Sequence, residues 1–245
     1  MFFVFNRRKI NSYLISIGTV IVLFAVSLFT TKGTNNAIET SASNINQNPI
    51  YKVETERKKV AISINCSENV ENIDSIIDSL SKMKAKATFY ITGELANKYP
   101  AEVKKITDNG YEVGNLSFHY TNLENKKTEE IKEEITKCTQ QIESITNTKV
   151  KTFRAPYGEC NSIIIEEAKK QNLYTVQWNI DALDYNGLNG EEMCERINEG
   201  LMPGSIILLH NNGKYTASSI EDIIYNIQKQ QYEICTVSDL ITLQN

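Results

Sequence analysis

Hydrophobic residues follow two regimes along this chain. Between Tyr13 and Phe29 they are nearly continuous, inside an uncharged stretch from Ile10 to Thr31 that Arg7, Arg8 and Lys9 precede. A bilayer-spanning helix needs about 20 largely apolar residues, so this stretch is long enough to cross. The positive flank predicts a cytoplasmic N-terminus and an exterior location for everything after Lys32. A cleaved signal peptide is the rival. No A-x-A-like site follows Phe29 directly and no cysteine stands there for lipidation, which favours an uncleaved anchor. Residues 1–32 are therefore expected to form a single-pass anchor in the cell membrane, with the rest extracytoplasmic. Residues 33–57, with Thr34-Asn35-Asn36 and Asn46-Gln47-Asn48-Pro49, lack periodicity and are too polar to order themselves. They predict a flexible linker.

From Lys58 the pattern alternates. Val60–Ile64 is an apolar run of strand length, and Ile73, Ile76, Ile77, Leu80 and Met83 then fall at helical spacing. Ala87–Ile91, Tyr111–Val113, Val150–Phe153, Tyr174–Trp178 and Ser205–Leu209 read as further strands. Val103–Ile106, the Ile131–Ile145 run and the Ile220–Ile227 run read as helices, and Glu129-Glu130 suits the start of the second. Strands alternating with helices predict an α/β domain over residues 58–245 with a parallel sheet. Periodicity leaves an open doubly wound sheet and a closed barrel equally open. Both gather functional residues at the carboxyl ends of strands. Those ends are Asn65-Cys66-Ser67, Asn115–Tyr120, Arg154–Glu159, Asp181–Tyr185 and His210-Asn211-Asn212.

Charge and cysteine content narrow the chemistry. The net charge is −4 and basic residues form no patch beyond the N-terminus, so nucleic acid is not an expected partner. Five widely spaced cysteines without a C-x-x-C do not make a disulfide scaffold. No Gly-rich phosphate loop occurs. The chain contains two histidines, His119 and His210.

Taken in order, the strand ends resemble the five motifs of the polysaccharide deacetylases, the NodB-homology family, and within it the sporulation-type PdaB-like branch. The most specific pieces are Lys86-Ala87-Thr88-Phe89-Tyr90, Phe153-Arg154-Ala155-Pro156-Tyr157-Gly158 and Pro203-Gly204-Ser205-Ile206-Ile207-Leu208-Leu209-His210. The resemblance implies a distorted (β/α) barrel and a groove for N-acetylated glycan. It also implies metal-assisted amide hydrolysis, with an Asp and two His holding a divalent ion such as zinc, a second Asp as base and a His as acid.

Residue by residue, the resemblance is uneven. Asn65 and Cys66 stand where the base and the metal-binding aspartate are usual, and Leu116 and Tyr120 where the two metal histidines are usual. Arg154, Asp181, Asp184 and His210 keep catalytic-motif positions, and Pro156, Tyr157 and Leu208 keep substrate-side positions. An amide is no base, Leu116 has no donor atom, and a phenol near pKa 10 is a poor stand-in for imidazole. Three histidines are needed and two are present, so no metal cofactor is expected. Arg154, deprived of an aspartate at position 65, is expected to pair with Asp181, Asp184 or Glu159. His119 is expected at the rim.

Three functions follow as expectations. One is a pseudoenzyme that binds peptidoglycan-type glycan or an envelope protein. Another is an active deacetylase with an atypical site using Cys66, Asp181, Asp184 and His210. The last is a scaffold in a membrane complex.

Overall fold

The computed structural model describes residues 48–244. The expected anchor and the first part of the linker lie outside them. Among the described residues no helix is long and apolar enough to cross a membrane.

Strand β1 (Lys59–Cys66) is buried from Val60 to its end, and its alternation organises the domain. Side chains of successive strand residues point to opposite faces. Val60, Ile62, Ile64 and Cys66 join a large outer cluster with helix residues such as Ile73, Ile76, Leu80 and Ile220. Ala61 belongs to a second cluster with Tyr90, Leu116, Val176 and Ile206. The first cluster lies between sheet and helices, and the second fills the inner face of the sheet.

The other strands are β2 (Thr88–Ile91), β3 (Glu112–Asn115), β4 (Thr152–Phe153), β5 (Tyr174–Thr175), β6 (Ile180–Asp181), β7 (Ile206–His210) and β8 (Glu233–Cys235). They form one sheet in the order β5-β4-β3-β2-β1-β7-β6, with β8 added beside the start of β1. Every strand pairing is parallel, as βα alternation requires. Among the described residues β5 and β6 do not pair, so the barrel is incompletely closed.

The helices are α1 (Ile73–Lys82), α2 (Gly93–Lys98), α3 (Pro100–Asp108), α4 (Thr128–Thr146), α5 (Ser162–Lys170), α6 (Gly190–Gly200), α7 (Thr216–Lys229) and α8 (Val237–Ile241). Helix α4 starts with Glu130 accepting from the Lys127 N–H and with Glu129 in its first turn, where the dipole favours negative charge. Helix α8 floors the inner face: Val237 N donates to Thr88 Oγ1, and Glu112 accepts from Ser238.

The expected linker is corrected at its carboxyl end. Ile50 and Val53 are buried, and residues 50–52 bridge Val176 beside β5 and Ser205 before β7. These two apolar side chains supply what the polar tract lacks, and burial of each such side chain is worth roughly 1.5–3 kcal/mol. Gly204 makes the approach feasible, because a Cβ there would stand 1.7 Å from the Val53 carbonyl oxygen. The packed domain begins by Ile50, ahead of residue 58.

Candidate functional site

The inner face ends in three linked pairs of side chains. The first is Asn65 with Arg154. Arg154 leaves β4 on the side opposite Phe153 and is fully buried. Its Nη1 donates to Asn65 Oδ1 at 3.0 Å, Nη2 to Ser63 Oγ at 2.9 Å and to the Gln177 carbonyl at 3.0 Å, and Nε to the Val176 carbonyl at 3.3 Å. The guanidinium carbon lies 4.0 Å from the Tyr90 ring centroid and 5.3 Å from that of Trp178. Gly114 makes room for Tyr90, since a Cβ there would stand 2.6 Å from the Tyr90 ring.

The expectation that Arg154 pairs with Asp181, Asp184 or Glu159 is thus corrected. Two backbone carbonyls, an amide, a hydroxyl and two aromatic faces hold it instead. Burial pulls its pKa down to about 10, as desolvation of a cation without a carboxylate must.

The second pair is Asp184 with His210. The buried Asp184 carboxylate accepts from four donors: His210 N at 2.6 Å, Thr216 Oγ1 at 2.6 Å, His210 Nδ1 at 2.9 Å and Tyr185 N at 3.0 Å. With its Nδ1 proton held by Asp184, the His210 ring carries its remaining exchangeable position at Nε2. Asp181 stands apart, accepting from Leu183 N at 2.9 Å and from the Tyr185 hydroxyl at 3.3 Å.

The third pair is Tyr120 with Tyr157, whose ring centroids are 4.7 Å apart. Tyr157 follows buried Pro156 at a φ of 60° and is 61% exposed. Three non-glycine residues with positive φ (Ser117, Tyr157 and Leu183) sit just beyond β3, β4 and β6. Strain of about 1–3 kcal/mol per residue of this kind collects where the surroundings impose it for function. The other four, Lys84, Asn147, Asn172 and Gln231, follow helix ends, where the left-handed conformation is routine.

The remaining expected residues separate. Leu116 is buried in the inner cluster. Leu208 is buried on β7 opposite Ser63. Cys66 faces the outer cluster, fully buried, and burial pushes its thiol pKa well up. His119 is at the rim as expected, with its Nδ1 2.8 Å from Glu134 Oε1. Glu134, Ser63 and Thr216 are site residues that motif reading misses, whereas Tyr90 closes the Lys86–Tyr90 motif without a role assigned to it there. Glu134 alone carried a signal, a carboxylate on the apolar face of α4 beside Ile131, Ile135 and Cys138.

The polysaccharide deacetylase family model matches residues 52–176. The chain belongs to the polysaccharide deacetylase family. It is 30% identical over 193 residues to YlxY of Bacillus subtilis, covering 79% of this chain and 60% of that protein. It is also 30% identical over 166 residues to a peptidoglycan-N-acetylglucosamine deacetylase of Bacillus cereus, covering 67% and 60%. The chain therefore spans about 60% of the length of these relatives. The crystal structure of a CE4 family pseudoenzyme from Bacillus anthracis superposes with a TM-score of 0.79 at 26% identity, covering 82% of this chain and 71% of that one. A mutant of that pseudoenzyme with restored enzymatic activity superposes equally well.

Polysaccharide deacetylases normally use a divalent metal. The residues at the corresponding positions here do not fit one. Cys66 turns its sulfur away from the groove into the outer core, Leu116 offers no donor, and Asn65 Oδ1 is already committed to Arg154. Burial raises the Tyr120 phenol above its ordinary pKa, which disfavours the phenolate a cation would need. Among the described residues no three His, Cys, Asp or Glu side chains gather to hold a metal.

Proposed function

We propose that this chain is an envelope protein, held at the membrane by its N-terminal segment with the domain outside, that binds peptidoglycan-type N-acetylated glycan at the strand ends without deacetylating it. One observation carries the reading: the amide of Asn65 caps Arg154 at 3.0 Å where the family pattern has its base, while Cys66 on the next position is locked in the core. A site without base or metal donors lacks both the proton acceptor and the Lewis acid of amide hydrolysis. The fold, the Arg154 cradle and the Asp184–His210 pair nevertheless persist, and relatives are named for peptidoglycan.

Residual deacetylation is the second reading, favoured by the oriented His210 ring, which retains the acid's position. Cys66 takes no part in it, for its sulfur does not reach the groove. A role in sporulation rests on the PdaB-like resemblance alone, because function resides in sites rather than folds.

Co-sedimentation of the full-length chain with purified, fully acetylated peptidoglycan tests the proposal. Retention in the pellet, competed by soluble muropeptides, is expected. A chain that stays in the supernatant, and crosslinks in cells to an envelope protein instead, would replace the glycan with a protein partner.

A further inference from the structure

The amino ends of the strands carry charge that the groove does not use. Parallel pairing brings the strand starts to one edge of the sheet, opposite the groove. Arg57 and Lys58 precede β1, Lys84 and Lys86 precede β2, Lys151 precedes β4, and Lys229 ends α7 ahead of β8; all six are exposed. Contacts between these connections join them into one surface. Lys58 Nζ donates to the Gln230 carbonyl at 3.2 Å, Gln228 Nε2 to the Met83 carbonyl at 3.1 Å, and Lys86 Nζ to the Gly110 carbonyl at 3.2 Å. Gly110 borders the same depression as Lys151. The acids nearby are committed to other partners: Glu54 to Lys52 at 3.1 Å, Glu233 to Lys59 at 2.7 Å, Asp108 to Lys104 at 2.6 Å and Glu143 to Lys149 at 2.8 Å. Glu112 turns inward onto Thr88 and Ser238. Among the described residues, Glu56 and Asp239 are the exposed acids left on this stretch from β1 to β4, against six cations; Glu199 lies farther along, ahead of β7. The loops of the groove end instead expose Glu68, Glu71, Glu94 and Glu124.

Helix dipoles explain cations in a last helical turn, Lys229 among them. They do not explain Arg57, Lys58, Lys86 and Lys151, which stand in connections ahead of strands. No basic run marks this part of the sequence; the parallel fold assembles the surface. Resting on the membrane-anchored reading of the chain, we propose that this edge docks on a bilayer of anionic phospholipid, so that the groove at the opposite edge faces away from the lipid. Six cations from four separate connections, spread along an edge, match a planar array of phosphodiester charge and not a single small anion. The chain also enters the domain at this edge. Val53 N donates to the Gly204 carbonyl at 2.9 Å in the turn before β7, and Arg57 and Lys58 then lead into β1. The expected anchor precedes this segment, so the tether adds effective concentration to weak electrostatic contacts. Each lysine held at an anionic surface strengthens association by about fivefold. The attraction fades within a Debye length of about 8–10 Å at physiological salt, so it acts only on a docked face.

Amine-modification rates on the full-length chain in lipid nanodiscs, read by mass spectrometry, test this. Discs of phosphatidylcholine alone are compared with discs of phosphatidylcholine mixed with phosphatidylglycerol. In the mixed discs Lys84, Lys86, Lys151 and Lys229 should react about threefold more slowly, and about 1 M salt should abolish the difference. Lys127 and Lys214, exposed at the groove end, should react equally in both. Lys151→Glu with Lys229→Glu, surface changes at the two ends of the stretch, should bring Lys84 and Lys86 to within about 1.5-fold of their phosphatidylcholine rates. Equal rates in both lipids, from a chain that inserts in both, overturn the docking and leave the anchor and the glycan reading standing. A chain that inserts in neither overturns the anchored reading and the docking together. Protection by soluble poly(glycerol phosphate) in phosphatidylcholine discs, with none from phosphatidylglycerol, overturns the lipid as partner and assigns the face to an anionic polymer.

Discussion

Arg154 Nη1 donates to Asn65 Oδ1 at 3.0 Å, so a fully buried guanidinium is held by an amide and not by a carboxylate. Asn65→Asp places a carboxylate at that distance. The new group has its pKa depressed by the adjacent cation, so its contribution is present above the ordinary value near 3.9 and lost as pH falls through the depressed one. A gain of about 1–2 kcal/mol at pH 7 is expected in urea unfolding, vanishing toward pH 2. A loss of stability at pH 7 would show that the carbonyl cradle already satisfies Arg154. No acetate release is expected from the variant, since Cys66 and Leu116 are untouched.

Asp184 and His210 contribute unequally to stability. Asp184→Ala leaves several buried donors without an acceptor, among them Thr216 Oγ1 and His210 N. A loss of about 3 kcal/mol or more follows from the desolvation of unpaired groups. His210→Ala removes one of four donors from the carboxylate and should lower stability by about 1 kcal/mol. Chemical denaturation of both variants at pH 7 gives the order, and a larger loss in His210→Ala would contradict this account.

Glu134 links the rim to acid sensitivity. Burial raises its pKa, but the His119 N–H and ring at 2.8 Å and Ser117 Oγ at 3.1 Å more than offset this and hold it below the ordinary 4.5. Lys126 Nζ also lies 3.7 Å from Glu134 Oε1, and Glu94 faces the other side of His119 at 3.9 Å. A depressed carboxylate stabilises the fold above the unfolded pKa and stops doing so as pH drops through the folded value. Glu134→Gln should therefore be less stable by about 1–2 kcal/mol at pH 7 and approach the parent as pH falls below 4.5. Parallel stability–pH curves would remove Glu134 from this role.

Thiol reactivity reports where Cys66 points. Cys66 and Cys138 are fully buried, whereas Cys160 is only partly so and its thiol is pushed up to about 11 by burial. In the native protein, Cys160 should label slowly and Cys66 only after denaturation. Rapid native labelling of Cys66, followed by mass spectrometry, would put its sulfur in the groove.

The elements that read clearly from the sequence are those with long apolar periods. The α4 and α7 faces, and the runs that became β1, β2 and β7, stood out because the core buries most of one face or both. Helices α2, α5, α6 and α8 did not. In α6 only Met193, Cys194 and Ile197 are buried among acidic neighbours, too few to make a stripe, although Asn189 with Glu192 spelled a capping box. Strand β6 has two residues, too short for any period.

At the site, the alternating pattern located the carboxyl ends of β1, β3, β4, β6 and β7. The Arg154 cradle stayed hidden because backbone carbonyls have no residue signature. The divergence of Asn65 from Cys66 was latent in strand alternation, which puts neighbours on opposite faces of β1.

A groove whose motif positions carry Asn65, Cys66, Leu116 and Tyr120 is expected to leave an acetamide intact. Acetate release from fully acetylated peptidoglycan, measured on the full-length chain with zinc, cobalt or manganese added and with metal content determined in parallel, tests it most directly. No stoichiometric metal and no acetate above background are predicted. Bound metal with acetate release that depends on it would contradict the account.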